Sequence, residues 1–325
     1  MENWQQLGKA FNAYINEHPV QGELEGLYHP INYILRLGGK RIRPVLCLMA
    51  NELFEGNKEE AMKAALAIEY FHNFSLIHDD IMDEAPLRRG QQTVHEKWNR
   101  DTAILSGDAL FVKVYQQLEG LSATHLKTVL GVFNQTALEV CEGQQLDMDF
   151  EDIALDQLSL DRYTEMIRLK TAVLLGCSLK IGAIIANASV EDAENIYQFG
   201  LNLGIAFQIQ DDYLDAFADT KDFGKQLGGD IIANKKTFLL LAAYQKASGK
   251  DREQLDFLLR QNIESKQKVE QMLALFQKLD IEKSARDSMQ TYHSLALSAL
   301  DRIDVTEEKK QPLLNLAESL LVRIN

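Results

Sequence analysis

Proline is scarce in this chain of 325 residues: there are five, and none falls between Pro86 and Pro312. So long an interval without the residue that removes a backbone donor, rich in Ala, Leu, Glu, Gln and Lys, excludes a turn-dense, many-stranded architecture and favours long helices. Cysteine is scarcer still. Cys47, Cys141 and Cys177 are odd in number, far apart and form no C-x-x-C pair. That excludes a disulfide scaffold and leaves reduced thiols in a cytoplasmic protein, each packed as a small hydrophobe. Positive charge is in deficit, with 34 Lys and Arg against 48 Asp and Glu and a net charge of −14, which argues against nucleic acid as a partner. No apolar signal core lies in Met1 to Ala10. A long uncharged apolar run is missing too. Thr171 to Val190 approaches bilayer-spanning length, but Lys180 at its middle and its Gly, Ser and Asn content predict a buried helix without stable membrane insertion.

Sustained period-two alternation with hairpin turns is absent, and helical periodicity recurs nearly everywhere. The pattern predicts helices at 3–17, 24–36, 42–54, 58–84, 101–119, 124–150, 159–188, 190–218, 235–248, 252–261, 264–278, 281–301 and 306–323. No low-complexity linker divides them, so the expectation is an all-α fold and one domain over residues 1–325. Gly200 and Gly204 form a GxxxG pattern, read as close helix packing.

Two acidic pentads stand out from this apolar helical background. Asp79-Asp80-Ile81-Met82-Asp83 and Asp211-Asp212-Tyr213-Leu214-Asp215 share the pattern DDxxD, 132 positions apart. Positions i and i+4 lie on one helix face, so Asp79 and Asp83 point one way together, as do Asp211 and Asp215. Clustered carboxylates repel and lose hydration, so they call for counter-charge. A hard divalent cation answers that need, and magnesium, which keeps waters and shares a substrate's phosphates, suits it best. Each pentad is followed by a turn with basic residues, Arg88-Arg89 in one case and Lys221 and Lys225 in the other.

Gly38-Gly39-Lys40-Arg41-Ile42-Arg43-Pro44 packs three cations and two glycines ahead of a helix, a composition suited to phosphate oxygens. It is not a P-loop, because the GxxxxGK(S/T) spacing is missing. Asp222-Phe223-Gly224 spells a kinase triplet without the rest of the kinase set. Glu69 and His72 match one E-x-x-H of a di-iron bundle, and no second such motif exists. His72, two turns before Asp79, is instead placed to donate to a phosphate. Lys170-Thr171 interrupts an apolar helix and needs an anionic partner. Gln208 sits three residues before Asp211, and Gln144, Asp147 and Asp149 end another apolar helix as a polar patch.

Together these residues resemble the trans-type isoprenyl diphosphate synthases, the polyprenyl synthetase family. GGKRIRP at Gly38 to Pro44, HNFSLIHDDIMD at His72 to Asp83, LRRG at Leu87 to Gly90, KT at Lys170-Thr171 and FQIQDDYLD at Phe207 to Asp215 follow the family's order. The resemblance implies one helical bundle around a central cavity, the type I isoprenoid synthase fold, and a homodimer. It implies a magnesium-dependent 1'-4 condensation of isopentenyl diphosphate with an allylic diphosphate, with three magnesium ions. The metal-binding set would be Asp79, Asp80, Asp83, Asp211, Asp212 and Asp215, with Asp79, Asp83 and Asp211 foremost. Lys40, Arg43, His72 and Arg89 would hold isopentenyl diphosphate. Arg88, Lys170, Thr171, Gln208, Lys225 and Lys235 would hold the allylic diphosphate, and Lys170, Thr171, Gln208, Asp79 and Asp211 would be the catalytic residues. The Gly228-Gly229-Asp230 stretch is one residue longer than the family form, which leaves Lys236 as the alternate to Lys235.

Phe74 and Phe71, five and eight residues before Asp79 on a shared face, would form the floor that ends chain growth at fifteen or twenty carbons, and small Ser75 favours twenty. A terpene cyclase, a longer-chain synthase and a non-enzymatic synthase subunit are the rival readings. Cyclases typically replace the second DDxxD, and such subunits usually lose one acidic motif. Both pentads are intact here, and GGKRIRP accompanies them.

Overall fold

Polar side chains start the helices where the sequence breaks. In the computed structural model, Asn57, Asn99 and Ser159 each accept a hydrogen bond from the backbone N–H three residues on, satisfying donors that a helix N-terminus leaves open. The structure describes residues 3–218, 228–260 and 263–321. In chain order the helices are α1 (Trp4–Glu17), α2 (Glu25–Arg36), α3 (Ile42–Leu53), α4 (Lys58–Met82), α5 (Val94–Lys97), α6 (Arg100–Leu118), α7 (Ala123–Asp152), α8 (Leu160–Ile167), α9 (Val173–Ile185), α10 (Val190–Phe217), α11 (Gly229–Ile232), α12 (Phe238–Lys246), α13 (Gly249–Arg260), α14 (Ser265–Lys278), α15 (Ile281–Asp301) and α16 (Glu307–Leu321). The fold is all-α. Among the described residues the one sheet is a hairpin of β1 (Leu87–Arg88) and β2 (Gln91–Gln92).

Three local departures from the periodicity reading have physical causes. The segment expected as one helix over 159–188 is α8 and α9 joined by a π-helical turn at Arg168–Ala172. The hairpin and short α5 occupy what reads as plain loop, because Arg89 (φ 54°) and Gly90 (φ 75°) supply the left-handed pair a two-residue hairpin demands. The expected 235–248 helix begins at Phe238, capped by Thr237.

The chain packs as two compact units. One comprises the residues up to Asn134 with Cys177–Tyr197 and Ile303–Leu313; the other comprises Gln135–Gly176, Gln198–Arg302 and the chain from Leu314. In the first, α4 is the central post, packed on α6 and α3. It is buried around its girth through Ala61, Ala64, Ala65, Leu66, Ala67, Ile68, Tyr70 and Phe71, as an all-round apolar helix must be. α9 belongs largely to this unit. No helix among the described residues is long and apolar enough to cross a membrane. Lys180, the charge inside its apolar run, reaches Glu194 at 2.7 Å. In the second unit α12 is the apolar post, packed on α15, α8 and α14. Cys47 and Cys177 are buried as expected, but Cys141 is exposed on the outer face of α7.

Candidate active site

Each unit carries one pentad, and each pentad ends a helix. In the first unit α4 brings Asp79, Asp80 and Asp83 to its C-terminus, where Asp83 is the cap residue. The three do not play equal parts. Asp80 is 1% exposed; its Oδ1 accepts from Arg88 Nε at 2.7 Å, and Arg88 also reaches Asp79 Oδ2 at 3.4 Å. Asp80 Oδ2 is buried without a partner. Burial raises the Asp80 pKa against the pull of Arg88. Asp79 is partly exposed and Asp83 exposed.

The basic turn of the same unit is built on backbone conformation. Gly38 and Gly39 adopt φ 77° and 126°, a region that side chains rarely enter. A Cβ on Gly39 would lie 2.6 Å from the Arg89 guanidinium, so the second glycine also makes room for that cation. The three cations of the turn separate. Lys40 is exposed. Arg41, 5% exposed, points inward to an ion pair with Glu69 and donates to Leu35 O and Asn12 Oδ1. Arg43 donates to His72 Nε2 at 3.2 Å. Burial lowers the Arg43 pKa to about 10, with Glu69 raising it and Arg89 lowering it further, so it stays cationic. His72 is driven well below its usual range by burial and by Arg43, Arg89, Arg88 and Arg41. It is therefore neutral and accepts from Arg43. Glu69 is Arg41's counter-ion and also accepts from Asn73 Nδ2 at 2.9 Å, which removes it from any metal-binding role with His72.

One helical turn below, Phe71 and Phe74 lie with rings 5.7 Å apart, as their spacing predicts. The aromatic layer is wider than the sequence suggests. Phe111 of α6 stacks on Phe74 at 4.9 Å and 27°, and Phe133 of α7 meets Phe71 edge-on at 5.3 Å.

In the second unit α10 carries Gln208, Asp211, Asp212 and Asp215 at its end. Asp211 is exposed. Asp212 Oδ2 accepts from Tyr163 Oη at 2.6 Å and from the Phe238 backbone N–H at 2.8 Å. Burial pushes its pKa up to about 7 against those bonds. Asp215 accepts from the Asp230 backbone N–H at 3.0 Å, which seats the start of α11. Lys170, in the π-helical turn, pairs with Asp147 of α7 at 2.6 Å, so the polar patch noted at the end of α7 supplies the anionic partner that Lys170 requires. The turn fits because Gly143 of α7 lies against it: a Cβ there would come 2.1 Å from Lys170 N. Gly204 packs on Ala172 in the same way, the close approach its spacing implied. Thr171 and Gln208 are partly exposed.

The two candidate lysines also separate. Lys236 donates to the carbonyls of Phe150, Glu151 and Ile153 and so closes the C-terminus of α7. Lys235 instead lies among carboxylates. Burial depresses its pKa, but Asp230, Asp212, Asp147 and Asp211 together raise it above its ordinary value, keeping a firm positive charge. Lys221, Lys225 and the Asp222-Phe223-Gly224 triplet lie outside the described residues. Tyr163, Asp230 and Glu69 are the partners that the sequence reading did not single out for these roles; only burial and pairing identify them.

Magnesium can be tested against these donors. Among the described residues no group of three His, Cys, Asp or Glu side chains converges on a metal position. An all-protein cage is therefore absent there, as it is for a cation bound through one or two carboxylates plus waters and substrate phosphates. In the first unit Asp79 and Asp83, and in the second the exposed Asp211, are hard oxygen donors of that kind. They fit.

Comparison with known proteins shows the family. The family described as polyprenyl synthetase matches residues 24–276. A short chain isoprenyl diphosphate synthase of Methanothermobacter thermautotrophicus is 37% identical over 92% of this chain and 91% of its own length. A geranylgeranyl diphosphate synthase of Saccharolobus solfataricus is 36% identical over 95% of each. A crystal structure of a geranylgeranyl pyrophosphate synthase superposes with a TM-score of 0.93 at 41% identity over 100% of both chains.

Proposed function

The chain belongs to the polyprenyl synthetase family and is a prenyltransferase, and from that premise we propose that it condenses isopentenyl diphosphate with an allylic diphosphate, 1'-4, to give a twenty-carbon diphosphate. The observation that carries this reading is the crowding of positive charge in the first unit. Burial first, and then the charges of Arg43, Arg89, Arg88 and Arg41, lower the pKa of His72; Arg43 is lowered by burial and further by Arg89, while Arg43 lies 3.2 Å from His72 and the Arg89 guanidinium lies against Gly39. Cations that disfavour one another's charge await a polyanion, and a diphosphate is the matching one.

Under this reading Lys40, Arg43, His72 and Arg89 bind isopentenyl diphosphate. Lys170, Thr171, Gln208, Lys225, Lys235 and Arg88 bind the allylic diphosphate, and Asp79, Asp83 and Asp211 would hold magnesium. Asp80, Asp212 and Asp215, engaged by Arg88, Tyr163 and Asp230, shape the two acidic ends from behind. Magnesium, when bound, supplies the divalent positive charge that an allylic carbon–oxygen bond needs in order to break. Lys170 and Lys235 add fixed positive charge against the departing group, a preorganised stabilisation worth several kcal/mol. Thr171 and Gln208 orient it. The isopentenyl double bond then attacks the allylic carbon, and the proton lost passes to the released diphosphate.

Phe74, Phe71 and the stacked Phe111 limit the chain, and the names of the relatives favour twenty carbons over fifteen. A homodimer is the assembly this reading expects. Ile104, Leu105, Val112 and Tyr115 are 38%, 60%, 58% and 38% exposed on α6 and fall within an arc of about 100°, the apolar face a second copy would cover. The cysteines, none of them in a disulfide among the described residues, suit a reducing cytoplasm. Incubation with magnesium, isopentenyl diphosphate and geranyl diphosphate, followed by chromatography of the products, tests the proposal. Stepwise growth to twenty carbons is expected. Cyclic product without isopentenyl diphosphate, or no reaction, refutes it.

A further inference from the structure

We propose that Tyr163 is a positioning residue for this reaction, tying through Asp212 the three backbone segments that carry the allylic diphosphate groups; the inference rests on the prenyl-transfer reading above. Tyr163 is 2% exposed on α8, so it meets no substrate. Its hydroxyl donates to Asp212 Oδ2 at 2.6 Å, and the Phe238 N–H donates to the same oxygen at 2.8 Å. The Tyr163 and Phe238 rings also meet edge-on at 6.1 Å.

One carboxylate oxygen thereby joins three elements. Asp212 lies on α10, where successive residues are about 100° apart in azimuth, so fixing Asp212 fixes the outward direction of Asp211. Tyr163 lies two helical turns before Lys170, on the helix that runs into the π-helical turn. Phe238 follows Lys235 by three residues, and its N–H opens α12. Two donors on one partly buried carboxylate oxygen form a pair of short bonds, charge-assisted when Asp212 is ionised. Loosening one of them releases three groups that must act together, and misplacement of about 1 Å at such a site costs about 100-fold.

The test is Tyr163→Phe, which deletes one oxygen. Its control is Tyr213→Phe, which deletes a hydroxyl on α10, the helix of Asp212, that bonds Glu282 and Arg286 instead. For Tyr163→Phe, kcat is expected to fall about 10- to 100-fold. The KM for isopentenyl diphosphate should stay within about twofold, and magnesium-dependent binding of inorganic diphosphate, by calorimetry, should weaken about tenfold. Tyr213→Phe should leave kcat within about twofold. Equal kcat losses in the two variants, diphosphate binding by Tyr163→Phe that matches wild type, or a Tyr163→Phe protein that does not fold overturns the proposal, since each makes the hydroxyl a matter of general stability or of nothing. Wild-type protein that neither binds diphosphate with magnesium nor extends an allylic substrate removes the functional reading itself, a separate outcome.

Discussion

Arg41 sits in the middle of a phosphate-suited motif, yet its structural position makes it a fold residue. Its side chain and that of Glu69 are each 2% exposed, and they form an ion pair. Glu69→Gln removes the counter-charge and leaves the guanidinium buried with only Leu35 O, Asn12 Oδ1 and a neutral amide. Breaking a buried pair at one partner costs about 3–5 kcal/mol. For 325 residues at roughly 2.1 cal/mol/K per residue, the unfolding entropy is about 0.7 kcal/mol/K. The expected Tm loss is therefore about 4–7 °C. Arg41→Met should cost a similar amount, because it strands the Glu69 carboxylate. The double variant Arg41→Met/Glu69→Met should recover more than half of either loss, since an apolar pair of similar volume avoids the desolvation of both charges. Scanning calorimetry of wild type, Arg41→Met, Glu69→Met and the double variant closes the cycle, with Glu69→Gln measured beside it. Arg43→Met, in contrast, should shift Tm by less than about 2 °C while raising the KM for isopentenyl diphosphate. Additive losses in the double variant, or a Glu69→Gln loss below about 1 °C, would refute the assignment of Arg41 to the fold.

Three further outcomes follow from the same geometry. Phe74→Ala opens the aromatic layer against Phe111 and should lengthen the product by at least one five-carbon unit; unchanged length in a product assay rejects the floor. Lys235→Ala should lower kcat/KM for the allylic substrate by more than tenfold with little loss of Tm, whereas Lys236→Ala should lower Tm by uncapping α7; the reverse pattern would exchange their roles. His125 contacts Glu60 Oε1 at 3.0 Å and Asn187 Oδ1 at 3.1 Å. Burial lowers the His125 pKa, but those bonds and the Glu60 charge raise it overall, while Glu60 is lowered overall by bonds from Ser122 and His125 against its own burial. The histidine's contribution is complete below its unfolded pKa of about 6.5 and is lost as pH rises through the higher folded value; the glutamate's is complete above about 4.3 and is lost as pH falls. The Tm difference between wild type and His125→Ala should therefore peak between about pH 4.3 and 6.5. A difference that is flat across pH 4–8 would contradict the pairing.

The sequence by itself determined the helical class, most helix ends, both acidic pentads and the basic turn, because each is written locally: in periodicity, in cap residues, or in charges four residues apart. It could not say which way neighbouring charges turn. Arg41 and Arg43 are two residues apart, yet one pairs inward with Glu69 and the other meets His72. Lys235 and Lys236 are adjacent, yet one faces carboxylates and the other caps a helix 83 to 86 residues away in the chain. The π-helical turn that carries Lys170 depends on Gly143 of another helix, and no periodicity within its own segment reports that. Within each pentad the middle aspartate is claimed by Arg88 or Tyr163, while its neighbour, Asp79 or Asp211, is the more accessible of the two. The direction of a charged side chain is set by which distant partner offsets its desolvation, and that partner exists only once the chain has folded.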